Sequence, residues 1–215
     1  MTDTIYALAS GHGRAGIAVM RLSGPKAFTA LEILTPGKPA PKPREAALRR
    51  ITDPGTGHAI DDALILTFAG PASFTGEDVV EFHLHGGRAI IYGLTSALTS
   101  LDGVRLAEPG EFTRRAFENN RLDLTEAEAV ADLINAETEA QRLQALDQLG
   151  GALKDLYHQW ADQLARALAH LEADIDFPDE DLPEGVAPAV IPDLKALIRE
   201  IDGHLNDNRR GERLR

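Results

Sequence analysis

The chain of 215 residues contains no cysteine, which excludes a disulfide framework and thiolate chemistry and suits a reducing compartment. No apolar run approaches the roughly 20 residues that a membrane-spanning helix needs. The opening residues, MTDTIYALASGHGRAG, lack a basic segment followed by an apolar one, so they do not resemble a secretory signal. We therefore expect a soluble, cytoplasmic protein with no membrane partner.

Basic residues are scarce in the second part of the chain. Residues 1–121 hold 13 basic and 13 acidic side chains, whereas residues 122–215 hold 9 and 21, so the second part carries the whole net charge of −12. Because a negative field repels phosphate backbones, we do not expect this chain alone to bind RNA tightly.

The phosphate-loop pattern G-x-x-x-x-G-K-[ST] is absent from the sequence. The run Gly11–Gly16 does match G-x-G-x-x-G, the pattern of dinucleotide-binding loops. That pattern binds a pyrophosphate only where a helix follows, whereas β-branched residues in alternation follow Gly16. We therefore interpret the run as a glycine-rich turn and reject a dinucleotide site.

Strand and helix patterns alternate in the first part of the chain. Strands are predicted at Ile5–Ala9, Ile17–Leu22 and Ala63–Phe68, and helices at Pro25–Leu34 and from Gly87 to about Leu98. This mixture predicts an α+β domain with a mixed sheet.

A further strand alternates apolar residues with the polar residues Glu81, His83 and His85. A period of two predicts that these three side chains share one face. They could ligate a metal, but no second cluster of ligands accompanies them, so a polar or ligand-facing edge is the preferred interpretation. A carboxylate on such an edge could instead accept paired hydrogen bonds from the N–H/NH₂ edge of a pterin.

After Arg121 the pattern becomes helical. Thr125 and Glu128 fit a capping box at a helix start. Apolar residues from Leu143 to Ile175 recur about every 3.6 residues, which predicts one long helix with its weak point at Gly150-Gly151. A last helix is predicted from about Pro192, with an apolar stripe.

Apolar stripes on so few helices do not close a bundle well. An uncovered stripe is a substantial driving force for association, at roughly 25 cal/mol per Å² of apolar surface. We expect partners for it: more chain, another subunit or both. The alternative is that the stripe packs only on the first domain.

Some isolated residues have weaker interpretations. Four phenylalanines could stack on a flat ring, although we expect most of them in the core: Phe74, Phe82, Phe112 and Phe117. The acidic run at 172–184 could attract Mg²⁺, but an exposed connection is the preferred interpretation.

Four blocks of the sequence resemble one family, the tRNA modification GTPases of the MnmE type, also called TrmE. The blocks are GRAGIAVMRLSG (Gly13–Gly24), PASFTGEDVVEFHLHGG (Pro71–Gly87), RLAEPGEFTRRAFENNRLDLTEAEAVADLINA (Arg105–Ala136) and DIDFPDED (Asp174–Asp181). Their order and spacing match along nearly the whole chain.

The resemblance implies an α+β tetrahydrofolate-binding and dimerisation domain at 1–120. Residues 121–215 would be the first part of a helical domain, a long-helix, all-α partial bundle. In this family a flavin- and NADH-dependent partner of the MnmG (GidA) type takes part. The two proteins add an aminomethyl-type group to the wobble uridine of certain tRNAs, with tetrahydrofolate supplying the one-carbon unit.

The resemblance also implies three folate contacts. They fall on Arg21 in the RLSG strand, on Glu81 at the end of FTGEDVVE and on Arg121 before LDL. The ligand would be formyl- or methylene-tetrahydrofolate. We expect Glu81 at the pterin edge and the arginines at acidic or carbonyl groups. The third position is often Lys in the family, and Arg keeps its charge but changes its shape.

The chain stops where the family's potassium-dependent G domain would begin. We interpret it as an N-terminal piece, whether recombinant, proteolytic or naturally truncated. It would bind folate, form a homodimer through its first domain and contact tRNA only indirectly. GTP, potassium and magnesium would belong to the G domain, so this piece would hydrolyse no GTP. The alternatives are a dimerisation scaffold with a vestigial folate pocket and a folate-dependent aminomethyltransferase acting alone.

Overall fold

The computed structural model describes residues 3–176 and 186–206. The chain divides into two compact units, residues 1–122 and 123–215. The family resemblance implies a boundary between residues 120 and 121, two residues earlier.

The first unit contains a six-stranded mixed sheet. Its strands are β1 (Thr4–Leu8), β2 (Ala15–Ser23), β3 (Ala47–Thr52), β4 (Ala59–Phe68), β5 (Val79–Gly86) and β6 (Val104–Leu106). Their order is β3-β4-β5-β2-β1-β6, and β1–β6 is a parallel pair whereas the other pairs are antiparallel. The predicted α+β class is therefore confirmed. Two strands were not predicted from the sequence. The arginines Arg49 and Arg50 interrupt the apolar pattern of β3, and β6 has only three residues.

Three helices belong to this unit: α1 (Ala27–Leu34), α2 (Arg88–Thr99) and α3 (Glu111–Glu118). Helix α1 begins two residues later than predicted, so Pro25 precedes the N-cap residue Lys26 and is not the first residue of the helix. Its buried side chains join those of α2 and of one sheet face in a single hydrophobic core, which includes Leu31, Leu94, Leu22 and Phe82. Burying these side chains stabilises the unit.

Strand β5 shows why the opposite sheet face carries the polar groups. Val80, Phe82 and Leu84 are at most 2 % exposed, whereas the intervening Glu81 and His83 are half-buried. The alternation predicted from the sequence is therefore present, and it turns Glu81 away from the hydrophobic core.

The second unit is all helical, as the sequence predicted. Its helices are α4 (Leu124–Asn135), α5 (Glu139–Leu149), α6 (Ala152–Asp176) and α7 (Val186–Leu205). Among the described residues, no helix combines the length and apolarity required to cross a membrane.

The single long helix predicted from Leu143 is wrong. Helix α5 ends at Leu149 and α6 begins at Ala152, because Gly151 has a φ of +88°, outside the right-handed helical region. The apolar repeat continues across this break, so periodicity alone did not reveal it. The predicted weak point, Gly150-Gly151, therefore separates two helices and does not bend a single one.

The predicted capping box at Thr125 is also wrong. Asp123 is the N-cap of α4: its side chain accepts from the backbone N–H of Glu126, and the Glu126 carboxylate accepts from the N–H of Asp123. The Thr125 hydroxyl instead donates to Asp123. Both frames fit the pattern, and an aspartate is as good an N-cap as a threonine.

The last helix begins at Val186, not at Pro192, so Pro192 lies inside it. Its apolar stripe is only partly covered, since Leu197 is buried while Ile198 and Leu205 are more than half exposed. Leucines of α5 and α6 are exposed as well: Leu143, Leu146, Leu164 and Leu168. Most of the acidic run at 172–184 lies outside the described residues.

Candidate functional site

Arg21 and Glu81 form an ion pair on adjacent strands. They are direct partners in the antiparallel register of β2 and β5. Glu81 Oε1 accepts from Arg21 Nε at 2.9 Å and lies 2.7 Å from Arg21 Nη2. Their side chains are 30 % and 13 % exposed, so this is a partly desolvated, charge-assisted contact at the surface of the sheet.

His83 lies beside the other oxygen of the same carboxylate. Its Nε2 atom is 3.4 Å from Glu81 Oε2, within ion-pair distance. The contact is not a hydrogen bond, and Nε2 is buried without a hydrogen-bond partner. Because a buried polar atom without a partner is costly, a ligand that forms a hydrogen bond with this imidazole nitrogen would be favoured.

Two aromatic rings flank the arginine. The guanidinium carbon of Arg21 lies 5.8 Å from the ring centres of both Phe74 and Phe112, within cation–π range. The expectation that most of the four phenylalanines belong to the core is wrong. Only Phe82 is fully buried, whereas Phe74 and Phe117 are exposed and Phe112 is half-buried. Aromatic rings beside a polar group are suited to stacking on a flat heterocycle.

Arg121 lies against the loop that carries Phe74, which we call the 73–77 loop. Gly76 in this loop has a φ of +78°, and a Cβ placed there would be 3.2 Å from Arg121 Cγ and 3.1 Å from Asn119 Cβ. Asn119 Nδ2 also donates to the carbonyl oxygen of Thr75 at 2.7 Å. The structure thus brings Arg21 and Arg121, which are far apart in sequence, to the same short loop.

A buried charge network lies at the base of this loop. Arg115 is fully buried, and its Nη atoms approach Asp3 at 3.0 Å, Glu77 at 3.2 Å and Glu111 at 3.0 Å. Arg105 pairs with Asp3 and Glu111 from the more exposed side. Each of the three carboxylates in this network therefore pairs with at least one of the two arginines.

The network shifts the titration of its members. The hydrogen bonds from Arg105 lower the pKa of Glu111 from 4.5 to about 2, against the opposing effect of burial. Burial tends to lower the pKa of Arg115, but the hydrogen bond that it donates to Glu111 and the charge of Glu77 outweigh burial and raise the pKa. Both side chains are therefore charged at neutral pH.

The three polar residues of β5 do not converge on a common point. Glu81 faces Arg21, whereas Asp61 accepts from the backbone N–H of His85 and contacts its Nδ1, both at 2.8 Å. Within residues 3–176 and 186–206, no group of three or more His, Asp or Glu side chains could hold a metal ion.

No sequence pattern predicts the residues around the pair. By sequence, Phe74 and Phe112 are only general stacking candidates, and no pattern points to Arg115 or Glu77. A usable signal was present in FTGED, where a glycine between polar residues favours a tight loop after an aromatic.

The fold and the site define an α+β domain with a polar, aromatic-flanked site, followed by an all-helical domain. A family model described as the GTP-binding protein TrmE N-terminus matches residues 4–121, and a model of the MnmE helical domain matches residues 124–215. The chain therefore belongs to the MnmE (TrmE) family of tRNA modification GTPases and matches its N-terminal and helical domains.

Similar proteins cover almost all of the chain. A tRNA modification GTPase MnmE from Parvibaculum lavamentivorans is 60 % identical over 99 % of the chain and 48 % of its own length. Its counterpart from Paramagnetospirillum magneticum is 58 % identical over the full chain and 48 % of its own length. The human mitochondrial 5-taurinomethyluridine-[tRNA] synthase subunit GTPB3 is 56 % identical over 99 % of the chain and 43 % of its own length. The chain spans about half the length of the curated relatives it matches.

Proposed function

We propose that this chain binds a reduced folate, formyl- or methylene-tetrahydrofolate, at Arg21, Glu81 and Arg121. The observation that carries the proposal is the Arg21–Glu81 pair, flanked by Phe74 and Phe112 and joined through the 73–77 loop to Arg121. A reduced folate combines a flat ring bearing N–H donors with acidic groups. The N–H donors suit a carboxylate, the flat ring suits aromatic side chains, and the acidic groups suit guanidinium groups.

The individual atoms support this fit. Arg21 directs two donors at Glu81 Oε1, which leaves Oε2 without a hydrogen bond from Arg21. His83 Nε2 lies next to Oε2 and is itself without a hydrogen-bond partner. An N–H donor of a pterin edge would satisfy Oε2. A second bond, to Oε1, would compete with the two Arg21 nitrogens that already approach this oxygen.

The role of the whole protein follows from the relatives' names. They are named as tRNA modification GTPases or as a 5-taurinomethyluridine-[tRNA] synthase subunit, so we propose that the chain serves tRNA modification. A flavoprotein of the MnmG type would be its partner, and the folate would supply the one-carbon unit for the wobble uridine. GTP, potassium and magnesium would bind to a segment with a phosphate loop, a pattern absent from residues 1–215. The acidic second unit makes direct tRNA binding by this part unfavourable.

Dimerisation through the first unit is the second part of the proposal. The sheet face opposite the core exposes Leu48 and Leu64, which are cross-strand partners on β3 and β4, at 68 % and 40 %. An exposed apolar pair on a sheet favours burial against another surface. The same observation favours the alternative function, a dimerisation scaffold whose folate pocket is vestigial.

Calorimetric titration with formyl-tetrahydrofolate tests the proposal and separates it from the alternative. We expect saturable binding by the wild-type chain and a loss of at least about tenfold in affinity for Glu81→Gln, which keeps the shape but removes the charge. Asp62→Asn is the matched control, because Asp62 forms a similar ion pair with Arg50 on neighbouring strands. A folded dimer in sedimentation that binds no folate would reject the folate site and favour the scaffold.

A further inference from the structure

Arg115 stands out among the arginines of the first unit because no solvent reaches its side chain. Nη1 donates to the carbonyl oxygen of Asp3 at 3.0 Å and to both carboxylate oxygens of Glu77 at 3.2 Å. Nη2 donates to Asp3 Oδ1 and to Glu111 Oε1, both at 3.0 Å. An enclosed cation is tolerated only when it is paired in this way, so the guanidinium fixes the positions of its three partners.

Glu77 transmits this constraint to the 73–77 loop. Its Oε2 atom accepts from Ser23 Oγ at 2.7 Å, and Ser23 Oγ also shares a hydrogen bond with the buried Thr75 hydroxyl at 2.6 Å. The Ser73 hydroxyl donates to the backbone carbonyl of Glu77. The loop is therefore bonded to strand β2, two residues beyond Arg21, and to Arg115.

Phe74 and Gly76 alternate with these bonded positions. Phe74 faces the Arg21 guanidinium, and Gly76 lies against the stem of Arg121. A shift of the loop would move the aromatic neighbour of one arginine and the backbone neighbour of the other. The position of the loop thus determines the surroundings of both arginines.

We propose that Arg115 is a positioning residue: through Glu77 it holds the 73–77 loop, and with it Phe74 and Gly76, in place beside Arg21 and Arg121. The consequence for folate affinity rests on the proposed function, whereas the placement of the loop does not. Lysine cannot replace Arg115 in this role. A single ammonium group on a flexible stem does not reproduce a planar fork that bonds three carboxylates at once.

Arg105 provides a matched control. It pairs with Asp3 and Glu111, two of the three acids that Arg115 contacts, and its hydrogen bonds do not include the 73–77 loop. Arg105→Lys therefore weakens the same acidic cluster without acting on Glu77. A purely structural role of Arg115 would make the two substitutions differ only in how far they lower the unfolding temperature.

The experiment compares Arg115→Lys, Arg105→Lys and wild type in the 215-residue chain, well below their unfolding temperatures. The first measurement is amide hydrogen exchange of a peptide that contains the 73–77 loop, without folate. We expect exchange about tenfold faster in Arg115→Lys and within about twofold of wild type in Arg105→Lys. The second is the dissociation constant for formyl-tetrahydrofolate, which we expect to rise about tenfold in Arg115→Lys alone.

Unchanged loop exchange in a folded Arg115→Lys protein would overturn the inference, and so would equal acceleration in both variants. If Arg115→Lys does not fold, Glu77→Gln serves in its place. That substitution keeps an acceptor for Ser23 but removes the charge that faces Arg115, and it is expected to accelerate loop exchange in the same way. If the wild-type chain binds no folate, the proposed function fails, while the exchange comparison still decides the role of Arg115.

Discussion

At the scale of single residues, burial separates the arginines of the first unit by the roles available to them. Arg21 is 30 % exposed and Arg121 is exposed, so either can meet a ligand, whereas Arg115 is fully buried and can only hold its neighbours. The guanidinium chemistry is the same in all three. The surroundings therefore decide between binding and positioning.

Glu111 makes the stability of the chain depend on pH in acid. Its folded-state pKa of about 2 lies below the ordinary value of 4.5, so its contribution is complete above pH 4.5 and is lost as the pH falls towards 2. Such a shift corresponds to about 3 kcal/mol in the free energy of unfolding. Urea unfolding at pH 7 and pH 3 should show Glu111→Gln destabilised at pH 7 and less sensitive to acid than wild type.

Glu139→Gln is the control for this measurement. Glu139 also has a lowered pKa, through its hydrogen bond with Arg142, but both side chains are solvent-exposed. Exposed pairs contribute little, so its acid dependence should follow that of wild type. Equal acid sensitivity of Glu111→Gln and wild type would contradict the assignment.

At Gly76, adding a single methyl group is expected to change both the stability of the chain and the position of Arg121. Gly76→Ala places a side chain at φ +78° and brings its Cβ close to Arg121 Cγ and Asn119 Cβ. We expect a loss of about 1–2 kcal/mol of stability from the backbone strain. Displacement of Arg121 should in addition weaken folate binding.

Gly37→Ala isolates the strain from the contact. Gly37 has a similar φ of +75°, but a Cβ there meets no atom within 4 Å. Both variants should lose similar stability in urea unfolding, and only Gly76→Ala should lose folate affinity in the calorimeter. Equal folate affinity in the two variants would show that Arg121 does not depend on this contact.

At the scale of secondary-structure elements, the start of α4 illustrates a choice between two sequence frames. Asp123 with Glu126 and Thr125 with Glu128 both fit a capping box, and the structure uses the first. Asp123→Ala removes the cap and should lower the stability of the helical unit by about 1 kcal/mol. Thr125→Ala should change it by less than about 0.5 kcal/mol.

Urea unfolding followed by circular dichroism at the helical band measures both changes. A larger loss for Thr125→Ala than for Asp123→Ala would support the other frame.

The Gly150-Gly151 break shows a related ambiguity, since an apolar repeat can pass through two separate helices without a change of phase.

At the scale of the whole molecule, the two units differ in how completely they bury their apolar side chains. The main hydrophobic cluster of the first unit lies within residues 6–104 and includes Leu22, Ile65 and Leu94. In the second unit, fewer large apolar side chains are buried among the described residues, and Leu164, Leu168 and Ile198 are exposed. Uncovered apolar stripes favour association, and that the helical unit packs against further partners stays a prediction.

The first unit should therefore fold alone. A protein that ends at Leu122 keeps the whole hydrophobic core and the buried Arg115 network, so we expect a single cooperative unfolding transition and dispersed amide resonances. A protein of residues 123–215 should instead bind a hydrophobic dye through its exposed leucines. Loss of cooperative unfolding in the shorter protein would contradict the independence of the first unit.

Local sequence patterns determined the α+β character of the first unit, the polar face of β5 and the helical nature of the second unit. These features depend on periodicities that neighbouring residues impose on one another. Resemblance to a family, rather than periodicity, singled out Arg21 and Arg121, whereas the alternation of β5 had already placed Glu81 on a polar or ligand-facing edge.

Only the tertiary structure decided what surrounds those residues. The register of β2 against β5 pairs Arg21 with Glu81 across 60 positions of sequence, and Arg115 meets Asp3 across 112. Contacts of such separation leave no trace in local spacing, because each depends on how the whole sheet and its loops pack. For the same reason, the sequence and the family resemblance predicted the charged groups of the candidate site but not the buried arginine that holds its loop.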